Sequence, residues 1–402
     1  MSFFRDRLEA FPRLDDYRLA KAAGYWPYYK TVESASTPRF RIEGADYINF
    51  GSNNYLSLSY HPKVIEAAQA ATSKYGTGVT GSRLLNGTLD LHRTLEEELA
   101  DFYGHEAALV FSTGYVANVS TIAGLLGRHD YAVLDKDAHN SLLTGVQLSN
   151  AGMKRFPHND VDRLAKILDE LPEEPGKGVI VDGVYSMGGD TAPLDRMVEL
   201  CRAHPNTFLL SDEAHGLGVL GERGRGAAEH YDVLADVDLL TITFSKTLGS
   251  CGGAVIGSSE AIELLTLNAD PFIFTASNTP GSVAAALAGL RILRDNPEVC
   301  AQLRANVVYF HGLLSERGIP VNPAESAIIT IPLEQRDELS AVVLARELLE
   351  AGVFVNPVVA PAVQRGLGLI RLSLMLDHTS DLLEEAAEVI FKVLHDNDQL
   401  PV

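Results

Sequence analysis

The chain has 402 residues, 46% of them hydrophobic, enough for a large core and a second, smaller unit. Its formal net charge of −20, with no run of lysine or arginine to offset it, repels a phosphate backbone and excludes general nucleic-acid binding. Three cysteines, Cys201, Cys251 and Cys300, stand far apart without CxxC spacing or clustered histidines, which argues against a disulfide framework and a metal site and makes a reducing cytoplasm the expected setting.

The first residues, MSFFRDRLEAF, mix charged with isolated apolar side chains, so neither a secretory signal nor a membrane span is expected there. Residues 1–50 are expected to be an arm without assigned chemistry, in which TPRFRIEGADYINFGSNNY suits extended chain or a small hairpin. Thr88 is placed to cap a helix carrying Leu91, Leu95, Leu99 and Phe102 on one face and stopped by Gly104. From about Ala107 short apolar runs alternate with turns and helix-like stretches, the pattern of an α/β fold with a mainly parallel sheet covered by helices on both faces. The expected strands are 107–111, 131–135, 179–184, 208–212, 239–244 and 254–258, rich in Val, Ile and Leu without alternation, as strands buried on both faces require. After Pro280 a long alanine-rich helix leads to a smaller C-terminal α/β domain with strand-like IITIPL, VFVNPV and LIRLSL. The expected division is an arm over 1–50, a large domain over 51–285 and a small domain over 286–402. No repeat or low-complexity linker separates them, so the parts should pack closely.

Ligands of open α/β sheets sit beyond the carboxyl ends of the strands. The polar residues that close the apolar runs are Thr113-Gly114-Tyr115, His139, Ser186, Asp212 with His215, and Thr243, Ser245 and Lys246. A lysine at a strand end, walled off from water, can have a lowered pKa and form an imine with an aldehyde cofactor. A partly desolvated Asp212 needs a permanent partner, such as a protonated pyridine nitrogen. His139 suits stacking on a flat ring, and the helix start after Thr113 suits a phosphate. Singly, these residues read as a solvated lysine, a capping aspartate, a loop histidine and a plain turn; Lys246 and Asp212 on two strand ends shift that balance. Gly216, Gly218 and Gly221 match GxGxxG, but the polar ERGRGAAEHYD that follows is no packed helix, so a dinucleotide site is not expected. The Asp212-Glu213-Ala214-His215 box lacks any accompanying GxxxxGK[ST] loop, which excludes a helicase.

The stretches GSNNYLSL, GTGVTGSRLLNGT, FSTGYVAN, DKDAHNSLL, RFPHNDVDRL, GVYSMGGDTAPL, SDEAHGLGVLGERGRG, TFSKTLGSCGG, FIFTASN and LIRLSL, in that order from about residue 50 to 380, resemble the α-oxoamine synthases. These are pyridoxal-phosphate enzymes of the aspartate-aminotransferase fold. The resemblance implies Lys246 as the Schiff-base lysine, Asp212 on the pyridine nitrogen, His215 on the ring hydroxyl, His139 stacked on the ring and Ser186 beside it. It implies a phosphate held by Thr113, Gly114, Tyr115, Thr243 and Ser245, with Thr275 reaching it from the other subunit of a homodimer. Arg371 resembles the arginine that binds the amino-acid carboxylate, with Asn53 beside it; a planar guanidinium fork matches two carboxylate oxygens.

Within the family, SRLLNGT, DFYG, VFSTGY, TFSK and FIFTAS are most similar to the bacterial serine palmitoyltransferases. The implied reaction joins an L-amino acid, serine favoured, to a long-chain acyl thioester of coenzyme A or a carrier protein, giving an α-amino ketone, carbon dioxide and free thiol. Two departures fall at the substrate end: Asn53 stands where the palmitoyltransferases carry tyrosine, and Val359 where they and the biotin-pathway synthases carry arginine. An 8-amino-7-oxononanoate synthase or a secondary-metabolite synthase using alanine or glycine therefore stays open. An aminotransferase and a non-catalytic partner subunit are the alternatives of other classes.

Overall fold

The computed structural model describes residues 2–400 except 12, 13, 23, 25, 334–337, 361 and 365. The extended segment near the start of the chain is a hairpin. Strand β1 (Arg39–Ile42) pairs antiparallel with β2 (Ala45–Asn49) across Glu43 and Gly44, whose φ values of 49° and 87° are those of a turn matched to the twist of a hairpin.

The apolar runs after residue 107 form one seven-stranded sheet. Its strands are β3 (Ala107–Phe111), β4 (Tyr131–Asp135), β5 (Gly152–Phe156), β6 (Lys177–Asp182), β7 (Thr207–Asp212), β8 (Leu239–Thr243) and β9 (Gly253–Gly257), in the spatial order β3-β9-β8-β7-β6-β4-β5. The β4–β5, β4–β6, β6–β7 and β7–β8 pairs are parallel, whereas β9 runs antiparallel to both neighbours. The sheet is thus mainly parallel but mixed.

Successive residues point into two separate cores, which is how a strand without sequence alternation is buried on both sides. In β3, Ala108 and Val110 join one core while Leu109 and Phe111 join the other; in β6, Val179 and Val181 face opposite to Ile180. The first core includes the helices Asp90–Tyr103, Val161–Glu170, Leu194–Ala203 and Pro280–Asp295, and the second Gly114–Leu125, Asn140–Ser149 and Ser259–Asn268.

Two local expectations are corrected. Strand β5 went unnoticed because it is an edge strand in which Lys154 and Arg155 are exposed and Phe156 is buried. Thr88 does not cap the helix Asp90–Tyr103: its hydroxyl donates to the Arg83 carbonyl at 2.6 Å, and the side chain of His92 accepts the Leu89 N–H at the helix start instead. The helix does stop at Gly104, which adopts the left-handed conformation.

In the C-terminal part, β10 (Ile328–Pro332), β11 (Val353–Phe354), β12 (Asn356–Val358) and β13 (Leu369–Ser373) belong to two small sheets. The VFVNPV run is split: β11 extends the N-terminal hairpin by pairing parallel to β2, while β12 and β10 flank β13 antiparallel. The N-terminal strands are thereby tied to residues 353–354, and the helix Pro280–Asp295 runs unbroken past residue 285. No described helix is long and apolar enough to cross a membrane.

Candidate active site

Residues at the carboxyl ends of β3, β4, β6, β7 and β8 enclose a cavity of about 270 Å3. It is lined by Thr113, Gly114, Tyr115, His139, Asp212, His215, Thr243, Ser245 and Lys246 from the expected set, and also by Asn118, Ser141 and Asp182. Each strand delivers one or more polar residues as it leaves the sheet, so a shared strand direction gathers groups more than a hundred residues apart in sequence.

Asp212 closes β7 and is buried. Its Oδ1 accepts the Ala214 N–H at 2.9 Å, and its Oδ2 accepts from Asn118 Nδ2 at 2.7 Å. In the β6–β7 register Asp182 stands directly opposite Asp212. Burial, reinforced by the charge of Asp212, raises the Asp182 pKa well above the carboxylate range, while Asp182 Oδ1 accepts the His139 N–H at 3.2 Å. Of the two neighbouring carboxyl groups, Asp182 is thus the one whose charged form burial disfavours.

His139 caps the helix Asn140–Ser149: its Nδ1 accepts the Ser141 N–H at 3.3 Å and lies 2.7 Å from Ser141 Oγ. Asn118 donates to that same hydroxyl oxygen at 2.8 Å, which turns the Ser141 proton toward Nδ1 and leaves Nε2 as the protonated nitrogen. Burial and the charge of Lys246 hold the ring neutral against the opposing charge of Asp212. His215 is also neutral, its pKa driven well down by burial and by the charges of Lys246 and Arg371.

The Lys246 amine has no hydrogen bond or ion pair among the described residues, while its backbone carbonyl accepts the Gly249 N–H. Its pKa is lowered from 10.5 to about 8, because burial outweighs the attraction of Asp212. Also in the lining, Thr113 accepts the Val116 N–H at 3.1 Å and caps the helix Gly114–Leu125, whose first N–H groups have no partner inside the helix. Thr243 Oγ1 lies 2.8 Å from Ser245 Oγ beside that helix start. Gly114 is required there, since a Cβ would meet Thr243 Cβ at 2.7 Å.

Four expected residues lie outside this cavity lining. Arg371, buried on β13, donates from Nη1 and Nη2 to Asn53 Oδ1 at 3.2 and 3.1 Å and from Nε to the Ser186 carbonyl at 2.7 Å. Ser186 is therefore placed by its backbone oxygen at Arg371 rather than by its hydroxyl in the cavity. Thr275 donates to the Pro271 carbonyl of its own chain. Tyr55, which sequence reasoning passed over, joins the two groups: its hydroxyl lies 2.7 Å from His215 Nδ1 and 3.3 Å from Asn53 Oδ1.

The family profile described as aminotransferase class I and II matches residues 45–390. The chain belongs to that family. It is similar to a serine palmitoyltransferase of Sphingobacterium spiritivorum, 42% identical over 373 residues that cover 93% of each chain. It is similar as well to an 8-amino-7-oxononanoate synthase of Geobacter sulfurreducens, 40% identical over 92% of this chain and 94% of that one. A solved structure described as serine palmitoyltransferase with pyridoxal phosphate as its internal aldimine superposes with a TM-score of 0.93 at 36% identity, over 98% of this chain and 99% of the other.

Proposed function

We propose that the protein is a pyridoxal-phosphate-dependent acyltransferase that joins serine to a long-chain acyl thioester with loss of carbon dioxide. The observation that carries this reading is the meeting of Lys246, Asp212, His139 and His215 in one cavity of about 270 Å3, the scale of a small flat ligand. The donor set suits the cofactor: an unpartnered amine for its aldehyde, a carboxylate for its ring nitrogen, an imidazole for its face, and a helix start with Gly114, Thr243 and Ser245 for its phosphate.

When bound, pyridoxal phosphate supplies an electron sink for the pair left behind when a bond at the amino-acid α-carbon breaks. The protein's own groups determine which bond breaks. Arg371 offers its guanidinium to the substrate carboxylate and, with Asn53 and the Ser186 carbonyl holding the fork, fixes the substrate's rotation. Lys246, with a pKa of about 8, can take the α-proton near neutral pH and return one. The new bond joins the α-carbon to the thioester carbonyl carbon, the carbon–sulfur bond breaks and the thiol leaves with a proton. The bond to the carboxylate then breaks, releasing carbon dioxide. His215 is neutral, and the single Tyr55 proton directed at its Nδ1, the nearer of the two acceptors, leaves the imidazole proton on Nε2, from which it can donate to developing oxyanion charge.

The same reading has a homodimer in the cytoplasm, with Thr275 of the partner subunit completing the phosphate site, and the division into residues 1–50, 51–285 and 286–402. A second reading, an 8-amino-7-oxononanoate synthase, is favoured by the Geobacter relative. The two are separated by titrating the holoprotein with serine, alanine and glycine, then adding palmitoyl- or pimeloyl-coenzyme A while following absorbance and carbon dioxide. Serine with the palmitoyl thioester supports the first reading, and alanine with the pimeloyl thioester the second. Keto acid released from amino acid alone identifies an aminotransferase and contradicts both.

A further inference from the structure

None of the groups assigned above explains His158, which follows β5 and stands between two carboxylates. Its Nδ1 lies 3.1 Å from Asp135 Oδ1 and its Nε2 2.7 Å from Asp190 Oδ2. A neutral imidazole has a single N–H and can serve one of these acceptors; only the imidazolium donates to both. Burial opposes the charge, but the hydrogen bonds and charges of the two aspartates outweigh it and raise the pKa to about 10.

The two carboxylates shape different turns. Asp135, fully buried at the end of β4, accepts the N–H groups of Asp137 and Asn159 at 2.8 and 2.9 Å and so sets the turn that runs into His139. Asp190 closes the other turn: its carbonyl accepts the Tyr185 N–H, and the Tyr185 carbonyl accepts the Gly189 N–H. That second turn presents the Ser186 carbonyl to Arg371. Asn159 reinforces the link by donating to Asp190 Oδ2 at 3.1 Å and to the Thr191 carbonyl at 2.9 Å. The Tyr185 ring packs edge-on against His158, with centroids 4.3 Å apart.

We infer that His158 is a positioning residue: its imidazolium clamps the turn that carries His139 to the turn that aims Arg371, holding the two groups in one mutual geometry. The inference rests on the reading that gives His139 the cofactor face and Arg371 the amino-acid carboxylate. Small displacements of such groups are costly, because reacting atoms must be aligned to well under an ångström. Asp190 is partly exposed, so its replacement probes the Arg371 arm of the clamp without opening a buried site.

The test uses holoprotein of wild type, His158→Asn, Asp190→Ala and the double variant. Each is titrated with whichever of serine, alanine and glycine shifts the wild-type spectrum, and thioester KM and the unfolding midpoint are measured alongside. Each single variant is expected to raise the amino-acid Kd roughly tenfold while thioester KM stays within about twofold, and the double variant to be no worse than the poorer single one, since both remove one contact. A responsive wild type with variants whose amino-acid Kd stays within about twofold overturns the inference alone. So does a parallel worsening of Kd, KM and unfolding midpoint, which marks a merely structural strut. A wild-type holoprotein that responds to no amino acid overturns the function reading and this inference with it.

Discussion

Replacing Lys246 by methionine should stabilise the cofactor-free protein. The amine has no described partner, and its pKa is lowered from 10.5 to about 8, mainly by burial. At about 1.36 kcal/mol per unit, a displacement of roughly 2.5 units weighs ~3 kcal/mol against the folded, protonated state. The folded pKa lies below the unfolded one, so between about 8 and 10.5 the unfolded chain binds more protons and stability rises with pH. Below that window both states are protonated and the full cost is present; above it the cost is gone. Methionine keeps the length of the side chain and never carries the charge. Urea unfolding of the cofactor-stripped proteins should therefore show Lys246→Met more stable by ~3 kcal/mol near neutral pH, with the gain fading as pH passes through the window. A variant that is less stable at neutral pH, or a gain that does not change with pH, would refute the reasoning. The outcome expected is that of a site whose reactivity is maintained at the expense of stability.

Asp212→Asn leaves one acceptor oxygen where two N–H groups now converge, so the cofactor Kd should rise at least tenfold, read by absorbance after dialysis. Arg371→Lys keeps the charge but loses the fork, and should weaken amino-acid binding roughly tenfold in spectral titrations while thioester KM is unchanged. Outside the cavity lining, Arg83 and Glu96 form an ion pair at 2.8 Å with side chains 5% and 6% exposed. Glu96→Ala strands that guanidinium and should lower stability by ~3–5 kcal/mol in urea unfolding.

The rule that ligands sit at strand ends anticipated that Asp212, His139 and Lys246 would line one cavity, because a buried parallel strand announces both its apolar body and its polar exit. Applied evenly, the same rule would have found Asp182, which ends an equally apolar run opposite Asp212. Asn118 also had a signal, since it lies four residues after Gly114 and so on the same helix face. Tyr55 had none: its contact with His215 joins residues 160 apart through folding of the N-terminal segment. Ser186 shows another limit, for sequence identifies a hydroxyl while the structure uses the backbone carbonyl. Strand β5 was hidden for a physical reason as well, since an edge strand need not be apolar.

The central claim is that the Lys246 amine holds the aldehyde of pyridoxal phosphate, and the most direct measurement is its chemical capture. Holoprotein is treated with borohydride, which reduces a carbon–nitrogen double bond to a stable amine, then digested and analysed by mass spectrometry. The account predicts a pyridoxyl-phosphate label on the peptide containing Lys246 and none after the same treatment of Lys246→Met. A label on a different lysine, or holoprotein that acquires no label, would contradict it.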